Sequence, residues 1–241
     1  ESDKCSREEF LSAYNKVFYQ LASADKPLKI YLAELIMFDE NPFTLMAERA
    51  EKSKAVYEAA RYDLKLLSEL FYIDTHYIKE KISEFKTWDI KFLPDWNIVP
   101  ENKTQNHLHY QVLNLISHEN NPDVIVYELW NLHKNHGCGD MLKYTAFKWN
   151  ISNGIPSLRG ISQPDPVRIS DLINYDKERE VVIENTLRFV KGLPANNVLL
   201  YGDRGTGKSS TVKALVNEYY DKGLRIVEVP KKYLIDFPQI V

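Results

Sequence analysis

The sequence predicts a mostly α N-terminal domain followed by the opening part of an α/β domain built on a parallel sheet. Three observations carry this. All nine glycines lie between Gly137 and Gly223. Tight β-turns depend on glycine and helix interiors disfavour it, so the glycine-free first part reads as helices and short connections. Apolar residues there recur at helical rather than alternating spacing. Beyond about residue 195, short apolar runs flank a glycine-rich loop and a helical stretch, the strand–loop–helix–strand order of a parallel βαβ unit.

The elements follow in order. Ser6 with Glu9 three residues on is a capping-box pattern, and Phe10, Tyr14, Val17, Phe18 and Leu21 form a stripe behind it. Pro27 opens a second short helix through about Phe38. Asn41-Pro42 places a cap before a proline at the first helical position, and helical pattern runs from there to about Tyr72. Asp74 caps a helix to about Phe85. Residues 86–101 hold Pro94 and Pro100 and read as irregular. Leu108–Ser117 is helical, and Asn121-Pro122 repeats the cap-and-proline start for Asp123–Asn135.

Gly154, Pro156, Gly160, Pro164 and Pro166 then crowd together, which makes 151–167 the expected linker between a helical domain, 1–150, and a second domain, 168–241. Ser170-Asp171-Leu172-Ile173 leads into a helix over Asp176–Lys191, and Gly192-Leu193-Pro194 turns the chain. Asn197–Tyr201 reads as a buried parallel strand. Val212, Leu215, Val216 and Tyr219 mark a helix that Gly223 stops. Leu224–Val229 reads as a second strand closed by Pro230.

Between the first strand and that helix, Gly202-Asp203-Arg204-Gly205-Thr206-Gly207-Lys208-Ser209 fits G-x-x-x-x-G-K-S/T, the nucleotide-phosphate loop or Walker A motif. The chemistry follows from the residue types. Glycines let the backbone wind so that amide N–H groups of Gly202 through Ser210 point into a concave nest for anions. The following helix adds free N–H groups and the positive end of its dipole. The Lys208 ammonium reaches the β- and γ-phosphates. The Ser209 hydroxyl is an oxygen ligand for Mg²⁺. The second region therefore reads as a partial α/β P-loop nucleotide-binding domain.

The stretch Asp171–Val241 resembles AAA+-type P-loop ATPases. It is most similar to an uncharacterised bacterial family of predicted ATP-binding proteins defined as a domain of unknown function. Asp171–Asp176, Asn185-Thr186, Phe189, Gly192–Ser210 and Gly223-Leu224-Arg225 carry the resemblance. It extends more weakly to Ala146–Trp149 and Pro164-Asp165-Pro166. The resemblance implies ATP and Mg²⁺ as ligands, with Leu172 and Ile173 beside the adenine. It also implies an acidic magnesium site, a sensor residue, an arginine finger from a neighbouring subunit and a helical lid, all expected beyond Val241. On that reading the chain is cut before the Walker B strand, so this piece binds nucleotide without hydrolysing it. The full-length protein would be an ATPase, possible as a homo-oligomer.

Other features are read plainly. Asp236 follows Pro230 and Lys231-Lys232 too closely for a crossover helix and reads as the start of the next helix rather than an acidic strand. Lys231-Lys232 with Arg225 is a solvated strand end. His133, His136 and Cys138 lack a fourth ligand at standard spacing, so they read as a helix C-terminus beside Gly137, not a zinc site. His107 and His109 stand two apart and face different sides of a helix. Trp88, Trp96 and Trp130 belong to a bundle core, with a partner groove as the functional alternative.

Composition bounds the rest. With 44% hydrophobic and 27% charged residues the chain reads as a globular protein. No apolar run is long enough for a membrane span, and Glu1-Ser2-Asp3-Lys4 shows no secretory signal. Two lone cysteines, Cys5 and Cys138, fit a reducing cytoplasm. A net charge of −3 does not support nucleic acid as a partner. The function expected is ATP binding by an AAA+-like P-loop protein whose helical domain contacts a protein target. The alternatives are a nucleotide-dependent interaction module without turnover and a P-loop kinase acting on a small molecule.

Overall fold

A computed structural model describes residues 6–85, 88–96, 107–119 and 121–240. Cys5, Pro100 and the side chains of His107 and His109 lie outside the described residues. The chain divides into two compact units, 1–131 and 132–241.

The regular structure of the first unit, among its described residues, is all helical. Helix α1 (Arg7–Ala24) carries the expected capping box: Glu9 N–H donates to Ser6 Oγ, and Ser6 N–H donates to the Glu9 carboxylate. Pro27 precedes α2 (Leu28–Phe38). Asn41 caps α3 (Pro42–Glu48) through its side-chain oxygen, which accepts from Phe43 and Thr44 N–H. The single long helix expected from Asn41 to Tyr72 is two. Ala50 turns left-handed at φ 54° and Glu51 N–H bonds back to Met46, which closes α3. Ser53 then caps α4 (Lys54–Leu70) by accepting from Val56 N–H at 3.4 Å. Unbroken apolar periodicity hides such a break because both pieces face the same core.

Helix α5 (Thr75–Phe85) starts at Asp74, which accepts from Tyr77 N–H. Helices α6 (His107–His118) and α7 (Pro122–His136) follow. The segment before residue 97 lacks regular structure yet is packed. Ile90, Leu93 and Trp96 bury themselves against Tyr14 and Leu21 of α1, and Tyr14 Oη donates to Pro94 O. Phe43, Tyr57 and Trp130 stack mutually in a second cluster. Trp96 is thus a core residue, as the sequence suggests, and Trp130 is half-buried against Phe43 and Tyr57.

The second unit includes α8 (Gly139–Lys143) and a three-stranded sheet in the order β2-β1-β3, from β1 (Ala146–Ser152), β2 (Ile155–Gly160) and β3 (Ile226–Glu228). The sheet is mixed: β1 pairs antiparallel with β2 and parallel with β3. The first part of the expected linker is therefore a hairpin. Asn153 and Gly154 both take positive φ, 52° and 79°, the two-residue turn that matches strand twist. Pro156 is tolerated because β2 is an edge strand.

Helix α9 (Asp176–Val190) leads to the second correction. Asn197–Tyr201 is extended but pairs with no strand, and it is not buried: Leu199 is 83% exposed and Tyr201 88%. β3 pairs with β1 on one side and carries no strand on the other among the described residues, so the run before the glycine loop joins no ladder. Helix α10 (Lys208–Tyr219) follows, burying Ala214, Leu215 and Val216. Tyr220, just past it, occupies the core place expected of Tyr219. Gly223 ends this stretch at φ 90°. Asp236 sits in a 3-10 turn, Lys231–Asp236, ahead of α11 (Phe237–Ile240), and accepts from Trp149 Nε1 at 3.2 Å.

Candidate nucleotide-phosphate site

The glycine loop is a wound, left-handed path. Gly202, Gly205 and Gly207 hold φ at 132°, 86° and 80°. Such angles cost a residue with a Cβ about 1–2 kcal/mol, which is why glycine recurs here. Gly207 is the N-cap of α10, and its left-handed turn feeds the chain into the helix. Among the described residues, no protein acceptor takes a hydrogen bond from the amides of Gly205, Gly207, Lys208, Ser209 or Ser210. Free donors at a helix N-terminus favour an anion twice over, by hydrogen bonding and by the helix dipole.

Lys208 folds back over the loop. Its ammonium donates to Gly202 O at 3.0 Å, Asp203 O at 2.6 Å and Thr206 Oγ1 at 3.1 Å. Thr206 Oγ1 in turn donates to Asp203 O. A cation is thus held at the mouth of the loop by neutral acceptors, which lack a formal charge to neutralise it. Asp203 and Arg204 are exposed at the tip, and Ser209 is exposed on the first turn of α10. The Ser209 hydroxyl is a hard oxygen donor, the ligand type that Mg²⁺ prefers.

Leu172 and Ile173 lie ahead of α9. Ile173 is 84% exposed and Leu172 half-buried. No hydrogen bond among the described residues joins either of them to the loop. The backbone there is braced by a residue that sequence reasoning missed. Arg179 donates to Leu172 O at 3.1 Å, to Asp176 at 3.3 Å and also to Asn174 O. Its side chain is only 10% exposed. The brace holds two successive non-glycine residues, Asn174 and Tyr175, at φ 64° and 60°.

Four more polar side chains brace the backbone nearby. Asn185 of α9 bonds both ways to the Asn196 backbone, accepting from its N–H at 2.9 Å and donating to its carbonyl at 2.8 Å. Arg188 donates to Pro194 O. Asn217 of α10 donates to the carbonyls of Asp165 and Val167, and Lys213 pairs with Asp165 at 3.1 Å. Helices α9 and α10 thus tie down both chain segments that flank the loop region. A cavity of about 320 Å³ lies between them and β3, but no residue of Gly202–Ser209 lines it.

The other candidates gather no site. His133 is buried with Nδ1 3.2 Å from Gly137 O, the helix-end arrangement expected. No group of three or more His, Cys, Asp or Glu among the described residues could hold a metal ion. Cys138 is buried. No helix among the described residues is long and apolar enough to cross a membrane.

A family described as protein of unknown function (DUF815) matches residues 142–241. The chain is also 42% identical over 65 residues to the replication factor C large subunit of Staphylothermus marinus, a stretch that is 27% of this chain. The chain spans 15% of the length of that curated relative. No solved structure matches. Both likenesses are partial, each covering less than half of this chain.

Proposed function

We propose that this chain binds ATP with Mg²⁺ through Gly202–Ser210, as part of an AAA+-like ATPase. The observation that carries the reading is the set of unclaimed amides from Gly205 to Ser210, wound by positive-φ glycines and overhung by the Lys208 ammonium. Polyphosphate oxygens are stronger acceptors than the carbonyls that Lys208 now uses, so Lys208 would exchange those partners for the β- and γ-phosphates. Ser209 would supply a hydroxyl to Mg²⁺. Leu172 and Ile173, presented by the Arg179 brace, would give the base an apolar contact. Oligomerisation of the whole protein and a cytoplasmic location belong to the same proposal.

Calorimetry with Mg-ATP tests it. Lys208→Ala is expected to weaken binding at least tenfold, about 1.4 kcal/mol or more. Equal affinity in wild type and variant would remove the basis of the assignment.

A further inference from the structure

The first unit holds an open cavity of about 770 Å³ that the nucleotide reading does not use. Its walls are Leu32, Leu35 and Ile36 of α2 and the face of α4 that runs from Val56 through Ala60 to Leu67. Phe43, fully packed against Trp130, forms part of the lining. The α4 residues stand at spacings of three and four, so they share one side of that helix. The groove is only partly shielded from water: Leu35 is 54% exposed and Leu32, Ile36, Val56 and Leu67 are half-buried, while Leu64 is buried.

The charge pattern in the groove is one-sided. Its lining contains two carboxylates, Asp39 and Asp63, and no lysine or arginine. Asp39 is engaged, accepting from Asn41 Nδ2 at 2.7 Å. Asp63 is different. It stands in the middle of the apolar α4 face, and among the described residues no hydrogen bond or ion pair engages it. A carboxylate placed centrally in an apolar wall opposes burial by a purely apolar surface, because covering it unpaired is costly. It favours a surface that brings its own cation.

We propose that this groove docks an amphipathic helix of a partner protein whose apolar face carries a central lysine or arginine, paired to Asp63. The length fits: Val56 to Leu67 is about three helical turns, roughly 16 Å at 1.5 Å per residue. Apolar side chains of the partner at i, i+4 and i+7 fill the space between α2 and α4, the helix-in-groove mode. The central cation fixes register and excludes helices with an acidic or fully apolar face. The proposal does not rest on nucleotide binding.

The test uses the full 241-residue chain and three labelled model helices of leucine and alanine, with lysine, norleucine or glutamate at the centre of the apolar face. Fluorescence anisotropy is expected to rank lysine over glutamate by at least tenfold. Asp63→Lys is expected to invert that order, and Leu35→Glu to weaken the lysine peptide at least fivefold. Both sites are exposed, so the fold should survive, which circular dichroism melts verify. If Asp63→Lys fails to fold, Asp63→Asn carries the comparison. It must cut lysine-peptide binding at least fivefold and leave the norleucine peptide unchanged. No saturable binding of the lysine peptide, or an unchanged preference in the Asp63 variants, overturns the proposal. Sedimentation showing self-association that Leu35→Glu abolishes also overturns it, in favour of a second copy as the occupant.

Discussion

Lys208 shows how a residue can be fixed in place before its ligand arrives. Its three acceptors all belong to the loop it overhangs, so the ammonium cannot wander from the mouth of the nest. Lys208→Arg keeps the charge but replaces a compact point donor by a planar fork, and should also weaken Mg-ATP binding. Gly207 makes a separate contribution. Its φ of 80° is the left-handed turn into α10, and a Cβ there meets nothing within 4 Å. Gly207→Ala therefore tests backbone conformation without a clash. Urea unfolding should show a loss of about 1–2 kcal/mol. On the proposed nucleotide reading, Arg179 would bear on the base rather than the phosphates. Arg179→Ala frees the carbonyls of Leu172 and Asn174. It should weaken ATP several-fold and leave inorganic tripolyphosphate unchanged. If both ligands lose affinity equally, Leu172 and Ile173 have no role at the base.

At the scale of elements, what was legible depended on whether a signal was local. Caps at Ser6, Asn41, Asp74 and Asn121 are read from one residue and its neighbours, and each is realised by a side-chain hydrogen bond. The glycine loop is equally local. The Asn153-Gly154 hairpin is also a local signal, masked by Pro156, Gly160, Pro164 and Pro166, which follow it and read as a linker. What could not be read is pairing. Asn197–Tyr201 has the composition of a buried strand, but burial is conferred by neighbouring strands, and its own residues say nothing of those. The helix break at Ala50 is similarly invisible, since alanine favours helix and only tertiary packing sets its φ of 54°. The hairpin also explains Gly160. A Cβ there would stand 2.1 Å from the Tyr144 ring, which in turn meets Phe147 of β1 edge-on. Gly160→Ala must push that ring away from a fully buried neighbour and is expected to cost about 1–3 kcal/mol. Urea unfolding of the variant checks this, and an unchanged midpoint would mean that the ring moves freely.

At the scale of the whole molecule, each unit has its own core, and that of the second converges on Tyr220. Its hydroxyl donates to Leu142 O at 2.8 Å, and the Arg225 guanidinium lies 3.9 Å from its ring centre. Arg225 is pinned in turn by the carbonyls of Met141, Leu224 and His136. Burial pushes the Tyr220 hydroxyl up to about 12, against an ordinary value of 10.0, with Arg225 opposing part of the shift. The sign of the pH effect follows. Between about pH 10 and 12 the unfolded chain has released this proton while the folded chain keeps it, so stability is intact below pH 10 and falls as pH rises through that window. His136 works from the other side. Burial first, and the Arg225 charge second, hold its imidazole below the ordinary 6.5. Its contribution is present above pH 6.5 and is lost as pH falls below it, because the unfolded chain gains a proton that the folded one refuses. The free energy of urea unfolding should therefore be greatest between these limits. Tyr220→Phe should lower it at neutral pH, from loss of the bond to Leu142, about 1 kcal/mol. The same variant should show a shallower decline between pH 10 and 12. A decline as steep as in wild type would place the alkaline sensitivity elsewhere and remove Tyr220 from the centre of this unit's stability.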